Sequence, residues 1–524
     1  MMETQGGVGV AESVPRDIIS LFGDQRRRFQ SRPVIIFQGR HLTYHNAEVY
    51  SSSLAYALKS TLGLSGGENV LVALPMSPQL IISLLAIIKA GAVPAFIDPQ
   101  STSQEIRAYT NLEKFRGIIL SLENGTEIGT DHNISFVIQV KIRDFLPFES
   151  FAYHAIKRPF LDSKVPKEIE VLDFSQAIYD AHEFQATLEN PETLRALFPG
   201  VDASGSFRFM SIGFSTLLRR AASLKERLPT KALAPRIATN IEPWCPEGLI
   251  ISFLLPLLMG GSAVTAYDRS TSYLMRLADI FQSEILALTP ADLISAFVKG
   301  GKKLPRNVKT VLTDTARSSR ALRTYFANKF PQKLAEYFGV LELGGITHIS
   351  AGYGEDGLPL FQQLEGIENE IRDRASGEKI NPGNPGKIYV TDSSVSGIQT
   401  TAETGSIGYI DEKGLLRIQS CVTPRIFPDG HTAFPQEVEL VVSSLPYVKE
   451  VACVERQEDD CTDSIFLFVV PKPGKQWNEA EFRGNLVRYL PRRLIPDKII
   501  RRDDLPKTLN GRILRNVLQE EVGK

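Results

Sequence analysis

The chain has 524 residues, 43% hydrophobic and 23% charged, a globular balance with too much apolar material for one core. Its 59 basic and 60 acidic side chains leave a formal net charge of -1, so no global field draws it to nucleic acid or to an anionic membrane. Four cysteines, Cys245, Cys421, Cys453 and Cys461, lie far apart without a Cys-x-x-Cys pair, which points to reduced thiols and no metal site.

The opening MMETQGGVGVAESVPRD lacks a basic head followed by an apolar core, so the expected location is cytoplasmic. RPVIIFQGRHLTY carries an early β signal, and Asn46 to Ser60 reads as a helix with Ala47, Leu54, Ala55 and Leu58 at its apolar positions. NVLVALPM is a short apolar strand, followed by a helix from about Ser77 to Ala90. VPAFIDP, a helix over 102–115 and RGIILS continue the alternation. The apolar runs 79–98 and 249–265 are broken by Gly or Pro, so they predict buried helix–strand units rather than membrane spans.

Residues 121–165 read as surface excursions around another sheet element. The rhythm returns with PRIATNIEPW, the helix-like GLIISFLLPLLMGG, then SAVTAYD. It runs on through helices near 271–283 and 291–299, with EILALT and NVKTVLTD as strands. Short apolar strands alternating with helices predict an α/β fold with a mostly parallel sheet. After Gly345 the composition turns to Gly, Pro and polar turns, which predicts a β-rich subdomain. The last segment has a βαβ-like pattern of its own, from PQEVELVVSSL to NEAEFRGNLVRYLP. A large unit over 1–418 and a small α+β, lid-like unit over 419–524 are therefore expected, hinged near 418–426.

The segments LTYHNAEVYSSSLAYAL, NVLVALPMSPQLIISLLAIIKAGAVPAFIDPQ and LPKTLNGRILRNVL, in that order, resemble the adenylate-forming ligases. That superfamily includes acyl-coenzyme A ligases, nonribosomal peptide adenylation domains and luciferases. The resemblance implies a reaction in which a carboxylate attacks the α-phosphorus of ATP, and a thiol or amine then captures the acyl group. It also implies where the nucleotide-handling groups stand.

The phosphate loop falls on VDASGSFRFM, from Val201 to Met210, where Ser204, Gly205 and Ser206 form the anion-binding turn and Arg208 takes the loop-lysine position. Asp202, Phe207 and Phe209 depart from that pattern. In YFGVLELGG, Leu341 replaces a threonine and Glu342 keeps the acidic, magnesium-facing position. Ser406, in TGSIGYIDEKGLL, replaces the carboxylate that grips the ribose hydroxyls, and one neutral hydroxyl cannot reproduce two charged acceptors. Cys421 and Pro424 alter the hinge, and Pro424 and Pro428 restrict its rotation. Arg512 stands where the small unit's lysine is expected, with a planar fork in place of a point charge, while Lys507 is retained.

These departures together predict that conventional ATP use is lost. The expected protein is an ATP-independent enzyme on a ligase scaffold, acting on a hydrophobic carboxyl-derived or polyketide-like metabolite of secondary metabolism, with no bound cofactor. The alternatives are a divergent ATP-dependent acyl-adenylating or acyl-coenzyme A ligase, and a non-catalytic metabolite-binding or regulatory protein. A carrier protein or another biosynthetic partner is expected, and neither nucleic acid nor membrane. The implied acyl pocket takes in EPWCPEGLI and GVLELGGITHIS, with Trp244 as an apolar wall. Two arrangements there suit catalysis: Cys245 with His348 as nucleophile and base, and Glu247, Glu342 and Arg512 as an acid–charge set. His431, in the altered hinge, faces either the cleft or solvent.

Overall fold

The computed structural model describes residues 17–522 except 122–125, 148–164, 181, 187–192, 202–206, 230–232, 268–269, 316–317, 319, 374–375, 394–398, 421–424, 427–431, 434, 444, 458–462, 473–476, 507–512 and 514. Within these residues the chain builds two large sheets, one small sheet and a two-stranded ribbon. The first large sheet has seven strands. Six are parallel, in the spatial order Glu170–Asp173, Phe136–Val140, Gly117–Ser121, Asn69–Ala73, Val93–Phe96 and Arg195–Val201. Phe207–Gly213 closes its edge antiparallel to Arg195–Val201.

The second sheet has thirteen strands and changes character halfway. Pro33–Phe37, Ser262–Thr265, Arg236–Thr239, Ile285–Ala287, Thr310–Asp314 and Leu334–Val340 lie parallel to one another. From Leu334–Val340 onward the pairing is antiparallel, through Gly345–Tyr353 to Ile367–Arg372. The composition shift after Gly345 marks that change.

Helix Pro78–Lys89 shows why the longest apolar run is not a membrane span. Ser77 caps it by accepting from the Leu80 amide at 3.3 Å, and Pro78 starts it where no amide donor is missed. All twelve of its residues are buried, so it is apolar on every face because protein surrounds it. Its one charge, Lys89, reaches Glu48 at 2.8 Å and the hydroxyls of Ser51 and Ser52. Among the described residues no helix is long and apolar enough to cross a membrane.

The small sheet joins Val448–Gln457 and Asp463–Pro471 antiparallel, with Lys498–Arg501 parallel to the latter. Helices Pro435–Ser443 and Glu479–Tyr489 flank it, and its core is separate, built on Val441, Leu467, Val469 and Leu486. One bond to the rest of the molecule is the Thr102 hydroxyl, which donates to the Tyr489 carbonyl at 2.8 Å. The large α/β unit with its β-rich part and the small α+β unit match the expected fold class. Between them, Arg425–Ile426, at the end of the hinge expected near 418–426, pairs with Thr432–Ala433 beyond it as a short ribbon.

Candidate active site

In a parallel sheet ligands are met at the carboxyl ends of the strands, because the connections leave there and diverge. Asp314 ends one such strand and lies in register with Tyr337 on the next. Two residues on, Gly339 and Val340 lead into a 3-10 turn, Leu341–Leu343, which carries Glu342. Gly344 and Gly345, at φ 81° and 85°, then reverse the chain in a conformation that side chains with a Cβ rarely adopt. The turn is held from behind by Arg220, which is fully buried. Its Nη2 donates to Asp392 at 2.6 Å and its Nε to the Leu343 carbonyl at 3.3 Å.

Facing this hairpin is the start of helix Pro246–Leu249, which runs on through a π segment, Ile250–Leu254. Cys245 caps it, its sulfur accepting from the Gly248 amide at 3.3 Å. Glu247 lies against the hairpin backbone. A Cβ on Gly339 would stand 2.4 Å from Glu247 Oε1, and one on Gly345 would stand 2.9 Å from the Glu247 amide nitrogen. The Cys245 thiol donates to the Glu242 carbonyl at 3.8 Å, and Cys245 and Glu247 both keep partial solvent contact, which marks this spot beside the hairpin as a recess. Trp244, buried beside them, supplies apolar bulk.

The recess has a consistent electrostatic sense. Burial pushes the Glu247 carboxyl above its usual range, and the nearby Glu342 adds to the shift. Burial likewise raises Glu342. It drives the Cys245 thiol well up, helped by the Glu247 charge, so that sulfur stays protonated and is a poor nucleophile. Tyr337 is raised by burial and then by Asp314.

Cys245 and His348 do not form the expected pair. His348 is fully buried, with Nδ1 2.9 Å from the Thr347 hydroxyl and Nε2 2.8 Å from Asn369 Oδ1. Neither ring nitrogen is left for a thiol, and burial lowers the imidazole to about 4. His348 therefore ties the hairpin to strand Ile367–Arg372. The Glu342 charge adds to the upward shift of Glu247, so these two acids act on one neighbourhood.

Ser204, Gly205, Ser206 and Arg512 lie outside the described residues, as do Asp202, Lys507, Cys421, Pro424, Pro428 and His431. Arg208 is exposed on strand Phe207–Gly213, opposite Gly200. Phe207 and Phe209 point to the other face, as a strand's alternation requires. Phe207 stacks on Tyr109 at 5.8 Å and Phe209 meets Phe115 edge-on at 5.2 Å, so both belong to the core of the first sheet. Leu341 packs on Gly200, where a Cβ would stand 2.1 Å from its Cδ2. Ser406 is fully buried, and its hydroxyl has no partner among the described residues.

Asp314, Tyr337 and Gly339 were not among the expected site residues. Asp314 had a signal, an acid closing the NVKTVLTD strand. Gly339 stood in the quoted YFGVLELGG motif, but only the approach of Glu247 shows why a side chain is excluded there.

Known proteins with the same architecture are numerous. The family profile described as AMP-binding enzyme matches residues 22–171, and that described as AMP-binding enzyme C-terminal domain matches 437–512. A long-chain-fatty-acid–CoA ligase of Escherichia coli O157:H7 is 23% identical over 97% of this chain and 95% of its own length. Among solved structures, a variant o-succinylbenzoate CoA synthetase from Bacillus subtilis, bound to a product analogue, superposes with a TM-score of 0.72. It is 16% identical and covers 95% of this chain and 98% of its own. An ATP-bound RpMatB–BxBclM chimera gives 0.59 at 18% identity, covering 96% and 99%.

These relatives overturn the expectation of an ATP-independent enzyme. Fatty-acid–CoA ligases align with the chain nearly end to end, and a protein of the same fold holds ATP. Phe207 and Phe209, which depart from the phosphate-loop pattern, pack into the core of the first sheet, so their aromatic character serves that core. Two AMP-binding enzyme profiles in their proper order, and one fold shared across almost the whole length, give this chain the architecture of the adenylate-forming, AMP-binding enzymes.

Proposed function

We propose that the protein is an ATP-dependent acyl-adenylating enzyme that activates a hydrophobic carboxylic acid and passes the acyl group to a thiol. The observation that carries this reading is the alignment of acyl-CoA ligases with 97% of the chain. In the first step a carboxylate oxygen bonds to the α-phosphorus of ATP and the bond to pyrophosphate breaks. In the second a thiolate of coenzyme A or of a carrier protein attacks the acyl carbon, and AMP departs.

Glu342, on its buttressed turn, is the group that would hold a magnesium ion. The donor set suits that ion, which is commonly bound by one or two carboxylates with substrate phosphates completing its shell. No cluster of three or more acidic, His or Cys ligands occurs among the described residues, so the triphosphate would supply the rest. When bound, the ion neutralises charge on the leaving pyrophosphate. Trp244 and the recess walls bind and dehydrate the acyl body. Glu247, whose carboxyl burial pushes above its usual range, is the polar group that faces the substrate there. The Val201–Met210 segment with Arg208, and Arg512 from the 419–524 unit, complete the proposed nucleotide site. Its grip on the ribose is weaker than a carboxylate-anchored one, because the anchoring position holds Ser406, neutral and fully buried.

Acid-dependent ATP–pyrophosphate exchange tests the reading, using a panel of medium- and long-chain fatty acids, aryl-propenoic acids and polyketide-like acids with Mg-ATP. The expected result is exchange with one class of acid and AMP release on adding coenzyme A or a phosphopantetheinylated carrier. Absence of exchange with every acid at saturating Mg-ATP overturns it.

A further inference from the structure

Strands Thr310–Asp314 and Leu334–Val340 carry the recess at their carboxyl ends, and at their opposite ends the fold leaves a second cavity of about 530 Å³. That is within the ~300–1,000 Å³ of small-molecule sites. Thr310, Leu334 and Ala335 line its floor. From Ala335 to Gly339 is four strand residues, roughly 13 Å at about 3.3 Å each, so this cavity is separate from the recess.

Its walls are chemically specific. Phe326 from helix Arg320–Lys329, Phe330 just past its end and Tyr353 from the end of Gly345–Tyr353 give it three aromatic rings. Two arginines and no carboxylate line it. Arg323 is already neutralised, its Nε and Nη2 donating to Glu336 at 2.8 and 3.0 Å. Arg227 is different: it is exposed at the cavity and donates to the neutral Gln362 side chain. A guanidinium with no acid against it among the described residues, beside apolar rings, matches a ligand with one anionic head and a flat or flexible apolar body.

We propose that this cavity is a second small-molecule site, taking an anionic ligand with an aromatic or aliphatic body, its charge on Arg227 and its body against Phe326, Phe330 and Tyr353. The test uses naphthalene-2-sulfonate, which has the charge and the ring system but no carboxyl group to be activated. Its binding to the full chain is followed by isothermal titration, alongside Ala327→Trp, which fills the cavity from an exposed helix position, and Arg227→Gln. Saturable one-to-one binding is expected, weakened at least tenfold by Ala327→Trp and about fivefold by Arg227→Gln. Acid-dependent pyrophosphate exchange, where the wild type shows it, stays within twofold in both variants. Absence of saturable binding, or equal binding by wild type and both variants, overturns the proposal. Displacement of the sulfonate by the acyl substrate alone, with the variants unchanged, places it in the recess and overturns the proposal as well.

Discussion

Strand Leu334–Val340 has two faces, and each carries a buried acid on opposite terms. On one face Glu336, with no exposed surface, is matched by Arg323, the Thr315 hydroxyl at 2.8 Å and the Tyr353 hydroxyl at 3.2 Å. On the other, Tyr337 and Gly339 look toward Cys245 and Glu247, where burial and neighbouring acids raise every proton affinity. An acid with a cation and full hydrogen bonding holds a fold together. An acid kept without a cation in a solvent-reaching recess is costly, and such sites persist where they act on something.

The largest effect should come from unbalancing the first face. Arg323→Met leaves Glu336 buried without its cation and should cost about 3–5 kcal/mol, read by chemical unfolding. A loss below about 1 kcal/mol would erase the contrast between the faces. On the site side, Glu342→Gln should lower adenylation about 100-fold with an unchanged melting temperature, since it removes charge from a rim position. Unchanged exchange rates would remove Glu342 from the nucleotide site.

Gly339→Ala tests the packing of Glu247. The added Cβ displaces that carboxyl, so a stability loss of about 1–3 kcal/mol is expected, together with a raised KM for the acid. Indifference on both counts would show that Glu247 does not rest there.

The pH dependence of Glu247 has a definite sign. Its folded pKa lies above the ordinary 4.5, so the native state keeps the proton longer than the unfolded chain does. The associated stability is complete below about 4.5 and is lost as pH rises through the folded value. Glu247→Gln should flatten that decline, by at most about 1.4 kcal/mol per pH unit. A parallel pair of stability–pH curves would contradict the assignment. Smallest of all, Cys245→Ser should leave adenylation within about threefold, because the sulfur serves as a helix cap and its thiol stays protonated. A loss of 100-fold or more would return Cys245 to the chemistry.

Much of this architecture was legible in the residues. The helix from Ser77 to Ala90 stands at Pro78–Lys89, since a cap, a proline and an unbroken apolar run all act locally. PRIATNIEPW, NVKTVLTD and DSIFLFVVP are strands for the same reason. VDASGSFRFM was read as a loop, yet its second half is an edge strand. The alternation of Phe207, Arg208 and Phe209 carries that signal, and it was masked by the glycine and serines before it.

Local chemistry by itself determined the element types, the change of sheet character after Gly345 and the acid retained at Glu342. These follow from periodicity, turn residues and side-chain identity, which need no distant partner. Only tertiary structure decided which acids stand alone. Glu336 and Glu342 are six residues apart and look alike in the sequence, but one meets Arg323 and the other faces the recess. It also decided that Phe207 and Phe209 face the core and that His348 is held by Thr347 and Asn369 rather than by Cys245. Burial and pairing depend on groups far away in the chain, so a residue's role is settled by the side chains that the fold brings against it.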